Sequence, residues 1–458
     1  MPTNLAPSGV DHDLVRRLKT AEDARFAAAH PRSAELHARG SAVMPNGVPM
    51  AWLRSSYHHL PMWVAEGRGA HFTDVDGHTY RDFNIADMSM FCGYAPEPLV
   101  RAVSAQMAKG NQFLLPSEDA IVVSEELARR FGLPKWQYTS SATHANTEAI
   151  RVARAVTGRE KVILFDGKYL GHFQEAMVEL DDAGIQVPEE RGVPADVVDG
   201  TVLVPFNDIA ALAAALERRD IAIVLTEAAI TNNIGLLLPD DGFHAALRRL
   251  TRETGTLLAI DETHTQVVGP GGLTRQWNLE PDLVTAGKSI AGGVPFGVWG
   301  MTDEIAAVLE QEKGPDGERA NLVAIGGTIF GNALAMAAAR AVMTEILTPE
   351  AYAHTQRLGA RLAAGMRASV DRVGLPWHIH HLGPRSGYTF RPTPVRNADE
   401  ARACADDLLT RLIRIWLANR GVWEAIVGAG PVCPVPAADE DVDAYLSAWE
   451  GLLEALVA

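Results

Sequence analysis

Short, almost wholly apolar runs alternate along this chain with longer segments in which apolar residues recur every three or four positions. The runs at 162–166, Thr201–Val204, Ile221–Glu227 and 256–261 predict strands, and their lack of polar alternation suits a sheet covered on both faces. Helical patterns at about 144–157, 208–218 and 241–254 separate them, which is the rhythm of a parallel α/β sheet. The large α/β domain is expected over 71–345. Ahead of it, residues 1–70 read as an arm, with helical spacing at Leu14, Leu18 and Phe26 and then a turn-rich Met44-Pro-Asn-Gly-Val-Pro segment. Behind it, residues 346–458 read as a smaller α+β domain, in which helices at 349–370 and 398–420 bracket a β-like stretch at 377–390.

With 458 residues and 47% hydrophobic content, the chain can bury a large core. Its net charge of -16 and the absence of Lys/Arg clusters argue against a nucleic-acid surface, because phosphate binding needs clustered cations. Cys92, Cys404 and Cys433 form no CxxC pair, so neither a disulfide framework nor a thiolate metal site is expected. No apolar run approaches the roughly 18 residues of a membrane span, and no signal-like segment opens the chain. A cytoplasmic location is the expectation.

Ligands of an open parallel sheet bind beyond the carboxyl ends of its strands, so the polar residues that close apolar strands come first. Glu227 closes 221–226, Asp261 closes 256–260, and Lys288 follows Leu283-Val-Thr-Ala-Gly. Of the lysines, only Lys288 sits in a Gly-flanked apolar setting, where desolvation favours the neutral amine that attacks an aldehyde. Gly287-Lys288-Ser289 also resembles the end of a Walker A loop, but Asp282 stands where that loop needs its first Gly. Thr139-Ser-Ser-Ala-Thr-His-Ala-Asn, ahead of a helix, is the better phosphate cradle, since a helix start offers unpaired N–H groups and a positive dipole end. Two histidine-bearing segments, Asp261-Glu-Thr-His264 and His378-Ile-His-His381, invite a metal reading. The second lacks a nearby acid or Cys, and Asp261 is more useful facing the ring nitrogen of pyridoxal 5′-phosphate (PLP), so no metal is expected.

The order of these parts resembles the class III aminotransferases, in the subgroup of glutamate-1-semialdehyde aminomutase and β-phenylalanine aminotransferase. By this resemblance Ser141-Ala142-Thr143 match the phosphate-binding Ser-Gly-Thr, and Phe165-Asp-Gly-Lys-Tyr-Leu-Gly is similar to the segment whose Tyr, here Tyr169, stacks on the cofactor. Glu227, Asp261 and Lys288 match the family's acid, its pyridine-nitrogen partner and its Schiff-base lysine. Gly327-Thr328-Ile-Phe-Gly-Asn resembles the segment whose Thr reaches the cofactor phosphate of a neighbouring subunit. The resemblance implies PLP fold type I, a homodimer with shared active sites, and amino transfer from an amine or amino acid to a keto or aldehyde acceptor. The alternative is an intramolecular aminomutase, for which 311–324 is a candidate closing loop. Ala142, His144, Leu170, Ala228 and His264 depart from the usual Gly, Glu, His, Pro and Met or Gln, with His264 expected within reach of the cofactor's 3-hydroxyl. For the substrate, either Arg54 grips a carboxylate or Trp52 and Tyr57 line an apolar pocket for simple amines; the second is expected.

Overall fold

The computed structural model describes residues 8–181, 183–232, 234–310, 323–425 and 428–458. They form two compact units, one drawn from 97–352 with 396–399 and one drawn from 8–96, 353–395 and 400–458.

The 97–352 unit is built on a seven-stranded sheet in the order Lys135–Thr139, Gly297–Met301, Leu283–Ala286, Leu257–Asp261, Ile221–Glu227, Lys161–Phe165 and Thr201–Val204. Only Gly297–Met301 runs antiparallel to its neighbours on both sides. All seven residues of Ile221–Glu227 are buried, as an uninterrupted apolar run requires when helices cover both faces. The helices Ala142–Thr157, Ile209–Glu217 and Phe243–Thr254 fall where periodicity places them. Ser141 and Asp208 start the first two by accepting a backbone N–H with their side chains, and glycines at 158 and 255 end the first and third in the left-handed conformation.

In the other unit, Val64–Arg68, His71–Asp74, Thr79–Asp82 and Val422–Trp423 make a four-stranded sheet. The 71–82 strands, which the sequence pattern groups with the large domain, thus pair through Asp82 and Arg81 with Trp423 and Val422. The reason is pairing across more than 300 residues, which local periodicity does not report. The helix His12–Ala29 buries Val15, Glu22 and Phe26, with Leu14 and Leu18 only partly covered. It is fixed to the C-terminal segment where Asn419 Nδ2 donates to Glu22 Oε2 at 2.6 Å and Arg420 pairs with Glu22 at 3.0 Å. The helix expected at 398–420 is two, Ala398–Ala403 and Asp407–Ala418, because Asp406 caps a fresh start. The β-like stretch is the hairpin His378–Leu382 with Arg385–Thr389.

Candidate active site

Asp261 and Glu227 end neighbouring parallel strands and are direct cross-strand partners. Both carboxyls are buried. Glu227 is pushed up to about 7, first by burial and then by the charge of Asp261, against hydrogen bonds from Thr231 and Tyr169. Those bonds run from Thr231 N at 3.1 Å, Thr231 Oγ1 at 3.0 Å and Tyr169 N at 3.4 Å.

Asp261 is also raised by burial, opposed by hydrogen bonds from Asn146 and Thr263 and by the nearby charge of Lys288. Its Oδ2 accepts from Asn146 Nδ2 at 2.7 Å and its Oδ1 from Thr263 N at 2.8 Å. Asn146 is itself held at both ends: its amide nitrogen also donates to Leu170 O at 2.6 Å, and its oxygen accepts from Thr285 Oγ1 at 2.6 Å. A helix residue, the loop residue Thr263 and, through Asn146, the strand residue Thr285 therefore aim one carboxylate.

Lys288 follows the Leu283–Ala286 strand and opens a single 3-10 turn. Its backbone lies at φ 50°, a left-handed conformation that costs a residue with a β-carbon roughly 1–2 kcal/mol. Its surroundings impose it. Gln266 Nε2 donates to Gly287 O at 2.9 Å and to Thr263 O at 3.0 Å, tying the lysine loop to the loop after Asp261. A β-carbon on Gly287 would lie 2.9 Å from Ala142 N, so only glycine lets this loop cross the start of the Ala142–Thr157 helix. That crossing brings the lysine turn against the phosphate-cradle candidate Ser141-Ala142-Thr143. The Lys288 amine meets His264 Nε2, and His264 Nδ1 lies 3.0 Å from Thr231 O.

At the helix start Ser141 Oγ caps His144 N at 3.3 Å, and the His144 ring lies within 3.1 Å of the Ser140 and Ser141 hydroxyls. Thr143 Oγ1 accepts from His172 N at 3.3 Å. Tyr169 stays 46% exposed. Thr328 is on an exposed turn, where its carbonyl accepts from Gln112 and the following Phe330 ring packs 5.6 Å from that of His144.

The substrate candidates belong to the other unit. Trp52 is 46% exposed, Arg54 Nη1 donates to His59 O at 2.7 Å, and the Tyr57 ring packs 4.8 Å from that of Trp423. Tyr57 is thus part of that unit's aromatic core. His380 Nε2 lies 3.0 Å from Ala429 O and His381 Nε2 2.8 Å from Gly383 O. Among the described residues His30, Asp74 and His78 gather potential ligand atoms within 4.8 Å, and Tyr80 Oη joins His30 Nε2 at 2.7 Å. This group is a hydrogen-bonded network in its own right. Sequence reasoning missed Asn146, Gln266, Thr285 and Thr231. The available signal for Asn146 was an amide on a helix face otherwise carrying Ala145, Ala149 and Ile150.

A family model of class III aminotransferases matches residues 53–393. The chain belongs to the class III aminotransferases. It is 32% identical over 82% of its length to a glutamate-1-semialdehyde 2,1-aminomutase of Desulfitobacterium hafniense, covering 87% of that protein. Among solved structures, a glutamate-1-semialdehyde aminomutase from Pseudomonas aeruginosa matches 98% of the chain and 100% of its own at 40% identity and TM-score 0.93, and a lysine-to-alanine variant of it holds PMP. The β-phenylalanine aminotransferase of Variovorax paradoxus matches 96% of the chain and 97% of its own at 27% identity and TM-score 0.85. The fold is therefore PLP fold type I, and the protein is a PLP-dependent enzyme of the aminotransferase family. Among the described residues no helix is long and apolar enough to cross a membrane.

The donor set of this class III site suits the cofactor. A primary amine, a buried carboxylate fixed at both oxygens and a helix start lined by Ser141 and Thr143 are tied together by short loops.

Proposed function

We propose that the chain moves an amino group between two carbons of one small substrate, as an aminomutase of the glutamate-1-semialdehyde type, in a homodimer with shared active sites. The carrying observation is the 40% identity to the Pseudomonas aeruginosa aminomutase across 98% of the chain, against 29% to an omega-transaminase and 27% to the β-phenylalanine aminotransferase. The preference drawn from sequence, exchange between separate donor and acceptor, is thereby reversed.

When bound, PLP supplies an aldehyde for amines and a protonated ring that withdraws electrons from the bonds of the attached carbon. Lys288 is the residue that would carry it covalently. Asp261, aimed by Asn146 and Thr263, would face the ring nitrogen with negative charge. The first-turn N–H groups of Ala142 and Thr143, with the Ser141 and Thr143 hydroxyls, would hold the phosphate. Tyr169 would cover one ring face, while Glu227 holds the Tyr169 and Thr231 backbone in place. The Lys288 amine would serve as general base and then general acid at the substrate carbon, holding the proton on Nζ between the two roles. The closing loop suggested at 311–324 lies, up to residue 322, outside the described residues.

Support for the dimer comes from exposed apolar side chains around the Thr328 turn. Phe113, Leu114, Leu115 and Ile329 are 51%, 73%, 71% and 56% exposed, a surface suited to burial against a second copy that would also receive Thr328 at its phosphate.

A second reading, amine transfer between separate molecules, draws on Arg54, whose bond to His59 O leaves its fork poorly placed to grip a carboxylate in two places. Incubation with glutamate-1-semialdehyde alone separates the two. Isomerisation without any added acceptor supports the aminomutase. Stoichiometric conversion of an added keto acid or aldehyde by the amine-charged protein, with no isomerisation, replaces it by the second reading. Lys288→Ala should abolish the absorbance of covalently held cofactor and turnover. Asp261→Asn should retain the cofactor and lose most of the rate.

A further inference from the structure

His264 is one of the departures from the family pattern, and it touches the one amine the proposed reaction depends on. Its tautomer follows from its two neighbours. Nδ1 faces the carbonyl of Thr231 at 3.0 Å, and a carbonyl only accepts, so Nδ1 carries the hydrogen. Nε2 is then the bare acceptor, and its partner is the Lys288 ammonium or amine. The ring is buried and on a rigid support. Gln266 N donates to Glu262 O at 2.9 Å, Glu262 N to Thr285 O at 2.8 Å, and the Glu262 carboxylate accepts from Thr265 Oγ1 at 2.5 Å and Leu273 N at 3.2 Å. The same turn reaches across to the lysine loop through Gln266 and Gly287 O. The ring and the amine are therefore fixed with respect to one another by two independent connections.

We infer that His264 is a positioning residue for Lys288: its Nε2 accepts a hydrogen bond from Nζ, orients the amine, and stabilises its protonated form during proton transfer. The inference rests on the reading of Lys288 as the cofactor-bearing lysine and proton carrier. The other ionisable groups nearby are Asp261, whose charge acts on this amine, and Glu227, beside Asp261 on the next strand. The influence of Asp261 is that of charge, whereas the imidazole is a directional acceptor placed at Nζ itself. A hydrogen bond to a charged partner strengthens when the partner gains charge, so the ammonium gains more from Nε2 than the neutral amine does. Removing the acceptor has two opposite consequences. The resting amine loses its directional partner and is freer to react, and the proton-carrying form that catalysis passes through becomes less stable.

That opposition is the test. Cofactor-free parent, His264→Leu and His264→Gln proteins are reductively methylated with formaldehyde and cyanoborohydride at pH 7. Mass spectrometry follows Lys288, with Lys135 and Lys161 as internal references. Gln keeps an acceptor oxygen at similar reach, whereas Leu keeps only bulk. His264→Leu should label Lys288 about tenfold faster than the parent, because the hydrogen bond released, one to a charged group, is worth at least about a factor of ten. His264→Gln should stay within about threefold of the parent, and the reference lysines should not change. Reloaded with PLP, the Leu variant should turn over more slowly than the Gln variant. Unchanged or slower labelling of Lys288 in a folded His264→Leu protein overturns the inference, as does a Gln variant that labels like Leu. A merely structural role lowers turnover without accelerating the label. Failure of the underlying reading shows separately, as a Lys288→Ala protein that still binds PLP covalently and turns over.

Discussion

Glu227 offers the sharpest test of the electrostatics at the strand ends, through the substitution Glu227→Gln. Its carboxyl is fully enclosed and lifted from 4.5 to about 7 by burial and by Asp261. At about 1.4 kcal/mol per tenfold, that difference is worth roughly 3 kcal/mol between the protonated and ionised forms. The sign follows from the direction of the shift. A carboxyl whose folded value is raised contributes stability that is fully present below about 4.5 and lost as pH rises through about 7. Gln cannot ionise and so removes this loss. It keeps one oxygen to accept from Thr231 N and Oγ1, while its amide nitrogen faces Tyr169 N, formerly a 3.4 Å contact. That exchange costs about 1 kcal/mol at every pH and leaves the slope untouched. Glu424, pushed up to about 7, and Asp82, pushed up to about 6, impose slopes of the same sign on both proteins and cancel in the difference. Guanidinium unfolding of cofactor-free parent and variant at pH 5 and pH 8 measures it. The parent should lose roughly 2–3 kcal/mol more than Glu227→Gln over that interval. Parallel losses would refute the assignment of an uncharged, desolvated Glu227 in the resting site.

Asn146→Ala should lower the stability of the cofactor-free protein by about 3 kcal/mol and slow amino transfer, because it strips donors from Asp261 and Leu170 O and an acceptor from Thr285; thermal unfolding and turnover check both. Subunit complementation checks the shared site: Lys288→Ala and Thr328→Arg proteins, each inactive, should regain activity when mixed, since one site of the hybrid dimer would combine an intact Lys288 with an intact Thr328 from the other copy. Stable hybrids without activity would exclude Thr328 in trans. Arg54→Ala should change kcat/KM for a carboxylate-bearing substrate by less than about tenfold, about 1.4 kcal/mol, because its guanidinium is engaged with His59 O; a larger loss confined to carboxylates would establish a clamp.

The amino-acid sequence alone determined the strands of the large sheet and the residues at their carboxyl ends. Glu227, Asp261 and Lys288 were legible because each is the first ionisable group after an apolar run, and a run buried on both faces tolerates such a group only at its end. The helix start at Ser141 was legible for a similar reason, since a hydroxyl cap precedes an amphipathic segment. Tertiary structure decided what holds these groups. Asn146 meets Asp261 across 115 residues and Thr285 across 139, and no local pattern distinguishes an amide turned into such a network from one turned to water. The facing of His264 and Lys288, the capture of the 71–82 strands by Val422–Trp423, and the engagement of Arg54 with His59 O belong to the same class. Hydrophobic periodicity reports which face of an element is buried, whereas the partner waiting at that face is fixed only when distant segments meet.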